Sequence, residues 1–150
     1  MLREQFTTVM KTAMKAGDKR RLATVRMIQA ALKDRDIEAR GAGKEVGEED
    51  ILAMLQKMVK SRQESAEIYA KGGRPELETQ EREEIAIINE FLPKQMAEDE
   101  VKAAIDAAVA ETGAASMKDM GKVVAALKTK YTGQMDFAKA SALVKARLGG

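Results

Sequence analysis

DKRRLATVRMIQAALKDRDIEARG, residues 18–41, is the stretch that decides the fold class. Leu22, Val25, Ile28 and Leu32 recur at steps of three and four, the spacing of one helix face. Asp18 suits the N-cap position, and Gly41 and Gly43 break the pattern. The spacing therefore predicts one helix from about Lys19 to Arg40. Lys19, Arg26, Lys33 and Arg40 repeat every seven residues along it. Seven residues bring a helix back to nearly the same side, with a drift of about 20°. The four cations thus form a stripe. A stripe of this kind can track phosphates, and it is also what the solvated face of a surface helix looks like.

The same periodicity extends in both directions. Leu2, Phe6, Val9, Met10 and Ala13 mark a first helix over 2–16, which Gly17 stops. Glu48, Glu49 and Asp50 open a third helix, where the macrodipole favours acids. It runs to about Ala70, with Ile51, Leu55, Met58, Val59 and Tyr69 facing inward. Gly72-Gly73-Arg74-Pro75 makes a turn into a fourth helix, which buries Leu77, Ile85, Ile88 and Leu92 and stops at Pro93. Short connections of this kind suit an antiparallel bundle.

Residues 93–97 read as a linker, and 98–150 as a small tail domain with helices over about 98–111, 117–130 and 137–148. Val101, Ile105, Val109, Met117, Met120, Val124, Leu127, Phe137, Leu143 and Leu148 are its expected core. Gly113 ends the first of these helices, and Asp136 caps the third. Ser116 reads as the cap of the second, with Asp119 three residues on in a capping-box arrangement. Gly121 then falls inside a helix, at a cost of roughly 1 kcal/mol against alanine. The expectation is that it admits a packed neighbour. The fold class predicted is all-α: a four-helix domain over 1–92, then a three-helix tail.

Composition agrees and excludes much chemistry. The 150 residues are 33% charged and only 3% aromatic, and they include ten methionines. There is no cysteine and no histidine. Ser-His-Asp and Cys-His catalysis, thiolate or imidazole zinc sites and Glu-x-x-His di-iron sites are therefore excluded. No catalytic residue, metal ligand or cofactor is assigned. The net charge is +2, but its distribution is uneven. Residues 11–35 hold eight Lys/Arg against two acids, residues 113–150 seven against two, and residues 75–92 one against six. Either the acidic segment packs near a basic one, or the basic segments face an anionic partner. No apolar run has the length of a membrane span. The first thirty residues are amphipathic and acid-poor, as presequences are. Their pattern continues unbroken into expected core, so a cytoplasmic location is the default.

Five segments resemble the GatB/YqeY-domain family, in the family's order: LREQFTTVMKTAMKAGDKRRLATVRMIQAALKDRDIE (2–38), LQKMVKSRQES (55–65), KGGRPEL (71–77), INEFLPKQM (88–96) and ETGAASMKDMGKVVAALKTKYTG (111–133). The match is to its stand-alone members. The resemblance implies a helical N-terminal domain joined to a tail similar to that of the B subunit of the tRNA-dependent amidotransferase, a region associated with gripping tRNA. Ser116, Lys118, Asp119, Gly121, Lys122, Lys128 and Lys130 stand at the matching positions. Two departures are visible. Ala97 stands where the family usually has Ser or Thr, and Gly133-Gln134-Met135-Asp136 lacks the arginine of a Gly-Arg-Ala-Asp turn.

Three functions follow as expectations. The first is a non-catalytic accessory protein that binds tRNA or another structured RNA, with amidotransferase or aminoacyl-tRNA machinery as a further partner. Lys118, Lys122, Lys128 and Lys130 would contact phosphate, with Arg26 and Lys33 on the second helix. Lys118 and Lys122 are four apart, hence on one face of a continuous helix. Lys118 also falls in a first turn, where backbone N–H groups can hold a phosphate. The second is the family-level label of a carbon–nitrogen ligase with glutamine as amide donor. The four serines, Ser61, Ser65, Ser116 and Ser141, give little support to activity by this chain alone: Ser116 reads as a cap, and Ser61 and Ser65 lie on a helix without a glycine-rich oxyanion loop nearby. The third is a protein-interaction module with Met54, Met58, Met96, Met117 and Met120 along a groove, although core filling explains the same residues.

Overall fold

The computed structural model describes residues 1–149. Among these it is all-α, with no strand. The helices are α1 (Leu2–Ala16), α2 (Lys19–Gly41), α3 (Glu48–Lys71), α4 (Pro75–Asn89), α5 (Glu98–Thr112), α6 (Met120–Tyr131) and α7 (Phe137–Gly149). A single 3₁₀ turn, Met117–Asp119, precedes α6. The chain divides into two compact units, Met1–Leu92 and Pro93 onward. Gly150, the last residue of the expected tail, lies outside the described residues.

In the first unit α1 packs on α2, α2 on α4, and α3 on α4. Gly17 ends α1 in the left-handed region at φ 70°, where a side chain would be strained. The Asp18 carboxylate then accepts from the Arg21 N–H at 3.1 Å and starts α2. Phe6, Val25, Ile28, Ile51, Leu55 and Ile88 are fully buried. Each contributes about 2 kcal/mol of burial. Phe6 meets Phe91 edge-on, with ring centroids 4.9 Å apart. The sequence pattern placed most of this core but missed Ile87 and Phe91, and it set Met54 on a groove. Met54 is 3% exposed and belongs to the core. Leu22, Leu77, Ile85 and Leu92, expected to be buried, are only half-buried.

The second unit has its own core of Ala104, Ile105, Ala108, Val109, Val123, Leu127, Met135, Ala140 and Val144. Small alanines let α5 and α7 approach, so the core contains residues that an apolar count overlooks. The segment expected as a linker is tied to this unit. The Gln95 side-chain amide donates to the Gly133 carbonyl at 2.7 Å, and the Met96 N–H donates to the Gln134 carbonyl at 2.8 Å. Asp136 caps α7 through the Ala138 N–H at 2.9 Å.

The expected helix over 117–130 needs correction. The Ser116 hydroxyl makes no cap hydrogen bond. The Asp119 carboxylate instead reaches backward to the Ala115 N–H at 3.0 Å and stabilises a 3₁₀ turn, so α6 begins only at Met120. Gly121 is consequently near the start of α6 rather than in a helix interior. A Cβ built on it meets nothing within 4 Å, so no neighbour packs there. Met117, expected in the core, is 41% exposed.

Candidate nucleic-acid interface

The side chains of α2 sort by direction at about 100° per residue. Thr24, Val25, Ile28 and Leu32 are buried, and Lys19, Arg26, Lys33 and Arg40 are exposed on the opposite side. Ala23, Ala30 and Ile37 are also exposed and lie between these cations at the same heptad spacing. The sequence reading missed them as the floor of the stripe, although their register was legible. Between neighbouring cations the helix rises about 10 Å, and over the whole row about 32 Å.

The remaining basic residues of α2 have a different task. Arg20 binds Glu83 at 3.2 Å. Arg21 holds Asp18 at 3.2 Å and also pairs with Glu90. From α3, Arg62 reaches Glu84 at 3.1 Å. Three of the six acids in residues 75–92 are thereby paired inside their own unit, and Glu78 pairs with Arg82. No ion pair among the described residues engages Lys19, Arg26 or Lys33. Arg40 is partly committed: it acts on Asp36, whose carboxyl is held below the usual carboxylate range chiefly by the hydrogen-bonded Arg3 guanidinium. Arg3 grips Asp36 through two bonds, of 2.9 and 2.7 Å, which fasten α1 to α2.

The tail lysines are exposed but not assembled. Lys118 sits in the 3₁₀ turn, so it does not share a continuous helical face with Lys122. Lys122 Nζ lies 3.9 Å from Asp119. Lys128 and Lys130 project about 200° apart around α6. Lys130 lies over the Tyr131 ring, 5.7 Å from its centroid. The turn is also less open to phosphate than its sequence suggests. The Asp119 carboxylate already accepts from the Ala115 and Ser116 N–H groups, which lower its pKa ahead of the Lys122 charge. The Asp119 N–H itself donates to the Ser116 carbonyl. A fixed anion occupies the place where a phosphate was expected.

Other candidate chemistry is dispersed. Ser61 and Ser65 lie one turn apart on α3, Ser116 precedes the 3₁₀ turn, and Ser141 is on α7. Among the described residues no group of three or more acids could hold a metal ion. An open groove of about 500 Å³ in the first unit is lined by Glu4, Thr8, Arg21, Glu90 and Phe91 among others. Its one cation is already paired twice. The methionine groove does not form: Met54 is core, Met58 packs against it, and Met96 and Met120 pack against the second core. No helix is long and apolar enough to cross a membrane among the described residues.

Residues 3–148 match the model of a family described as Yqey-like protein. No curated protein matches the chain.

Proposed function

The chain belongs to the Yqey-like protein family, and from that premise we propose that it is a non-catalytic accessory protein that binds the phosphate backbone of tRNA or another structured RNA. The observation that carries this reading is the α2 row. Four cations stand on a solvent face opposite the core, and three of them are free of ion pairs while the neighbouring Arg20 and Arg21 pair with Glu83 and Glu90. A folded chain that uses some arginines internally and leaves a periodic set unpaired has surface charge available for a polyanion. The tail lysines add positive charge without forming a second row. We read residues 1–92 and 98–150 as two domains, of four and three helices, with RNA contact weighted toward the first. Amidotransferase or aminoacyl-tRNA machinery would then be a partner that shares the RNA.

Binding of total tRNA to the full chain, followed by gel retardation across a salt series, tests the reading. Retardation that weakens steeply between about 50 and 200 mM salt is expected. Arg26→Glu with Lys33→Glu should weaken it more than Lys118→Glu with Lys122→Glu. Absence of any shift at the lowest salt would end the proposal.

A further inference from the structure

We infer that the α2 row is a reader of double-helical RNA and that it rejects unpaired strands. This rests on the RNA-binding reading above and goes further by naming the form of the nucleic acid.

The first argument is rigidity. Lys19, Arg26, Lys33 and Arg40 lie along one continuous helix at intervals of about 10 Å. A single strand can bend to meet any charge pattern, so it gains little from a regular one and loses conformational freedom on docking. A duplex presents phosphates at fixed positions and loses little on docking.

The second argument is the absence of stacking partners. Proteins that hold single strands place aromatic side chains under successive bases. No aromatic residue lies on α2. In the first unit Phe6 and Phe91 are buried against each other, and Tyr69 is half-buried on α3. Nothing on the cationic face can receive a flipped base.

The third argument is relief. Ala23 and Ala30 keep the ground low from Lys19 to Lys33, while Ile37 stands exposed before Arg40, so the closest approach to a phosphate ridge is at the first three cations. The wide, shallow minor groove of A-form RNA admits such an approach by shape and phosphate contact. Gln29, between Arg26 and Lys33, is half-buried and poorly placed to reach base edges, so recognition is of form and not of sequence.

The test uses fluorescence anisotropy with the full chain and three labelled probes: an RNA duplex of about 16 base pairs, one of its strands alone, and a DNA duplex of the same sequence. The expected result is binding of the RNA duplex about tenfold or more tighter than the single strand at 100 mM salt. Its log–log salt slope should be about −3, set by three or four phosphate contacts. Arg26→Glu with Lys33→Glu should remove most duplex binding. Equal or tighter binding of the single strand overturns the inference while leaving the RNA-binding reading intact. Tighter binding of the DNA duplex overturns the assignment to RNA. Duplex binding that survives the α2 variant places the site elsewhere. Loss of all RNA binding by the unmodified chain removes the parent reading itself, a separate outcome.

Discussion

At the scale of single residues, the first unit carries a buried ion pair. The Arg62 and Glu84 side chains are 16% and 8% exposed, and they pair at 3.1 Å. Arg62 also donates to the Met58 carbonyl, and Gln80 to the second Glu84 oxygen. Removing one partner of such a pair leaves a buried charge unmatched. Arg62→Met should therefore lower stability by about 3 kcal/mol in urea unfolding. Adding Glu84→Leu should restore most of that loss, since an apolar pair of similar volume is often no worse than the ion pair. Nearby Glu81 is held above the usual carboxylate range, first by burial and then by the Glu84 charge, with Arg62 opposing. A carboxyl with a raised folded pKa favours the folded state below its unfolded pKa. That contribution is lost as pH rises through the folded value. Glu81→Gln should thus raise the thermal midpoint at pH 7, with the gain shrinking toward pH 4. An equal effect at both pH values would mean that packing, not charge, is responsible. Neither residue was marked out by the sequence. Both sit in an acidic run, and only the fold tells a buried glutamate from its solvated neighbours.

Among the elements, the segment over 116–131 shows where sequence reading succeeds and where it stops. Ser116 and Asp119 have the spacing of a capping box, and α6 does follow them. The Ser116 hydroxyl nevertheless caps nothing, and the Asp119 carboxylate turns back to the Ala115 N–H instead of facing a serine-capped helix. That choice shifts the helix start by three residues. It moves Lys118 out of register with Lys122, and it puts Gly121 in open space. The heptad of α2 was legible because a long, strongly periodic helix fixes every side-chain direction from one starting point. The tail lysines were not, since their directions depended on one local hydrogen bond. Gly121 gives the sharper test. With no close neighbour and no left-handed backbone, Gly121→Ala should stabilise the second unit by about 0.5 kcal/mol through the unfolded state. Gly113→Ala, at φ 67°, should instead destabilise it by about 1 kcal/mol. Urea titration monitored by circular dichroism reads both. A loss at Gly121 would restore the packed-neighbour expectation. Ala97 offers a complementary gain: Glu100 accepts from its N–H at 3.0 Å, but alanine has no oxygen to answer. Ala97→Ser completes the box and should add about 1 kcal/mol.

For the molecule as a whole, the question is whether net charge or its arrangement would govern the proposed RNA binding. The net charge of +2 is too small to concentrate RNA by itself. At physiological ionic strength, charges more than about 8 Å apart are largely screened. What distinguishes the cations of α2 is therefore their direction. Arg20 and Arg21 turn toward α4 and neutralise Glu83 and Glu90, while Arg26 and Lys33 turn outward and meet no acid. Two double variants separate the effects, because each removes two positive charges and brings the same formal net charge to zero. Arg20→Gln with Arg21→Gln should lower the thermal midpoint by several degrees, through lost pairing between α2 and α4, and should change RNA affinity little. Arg26→Gln with Lys33→Gln should leave the midpoint within a degree or so and weaken RNA binding roughly tenfold at 150 mM salt, with a salt slope shallower by about two. Parallel thermal melts and anisotropy titrations measure both. If the two variants lose affinity equally, binding follows net charge and the α2 row has no special standing. If only the outward pair matters, the fold has divided the basic residues of one helix between holding itself together and holding a ligand.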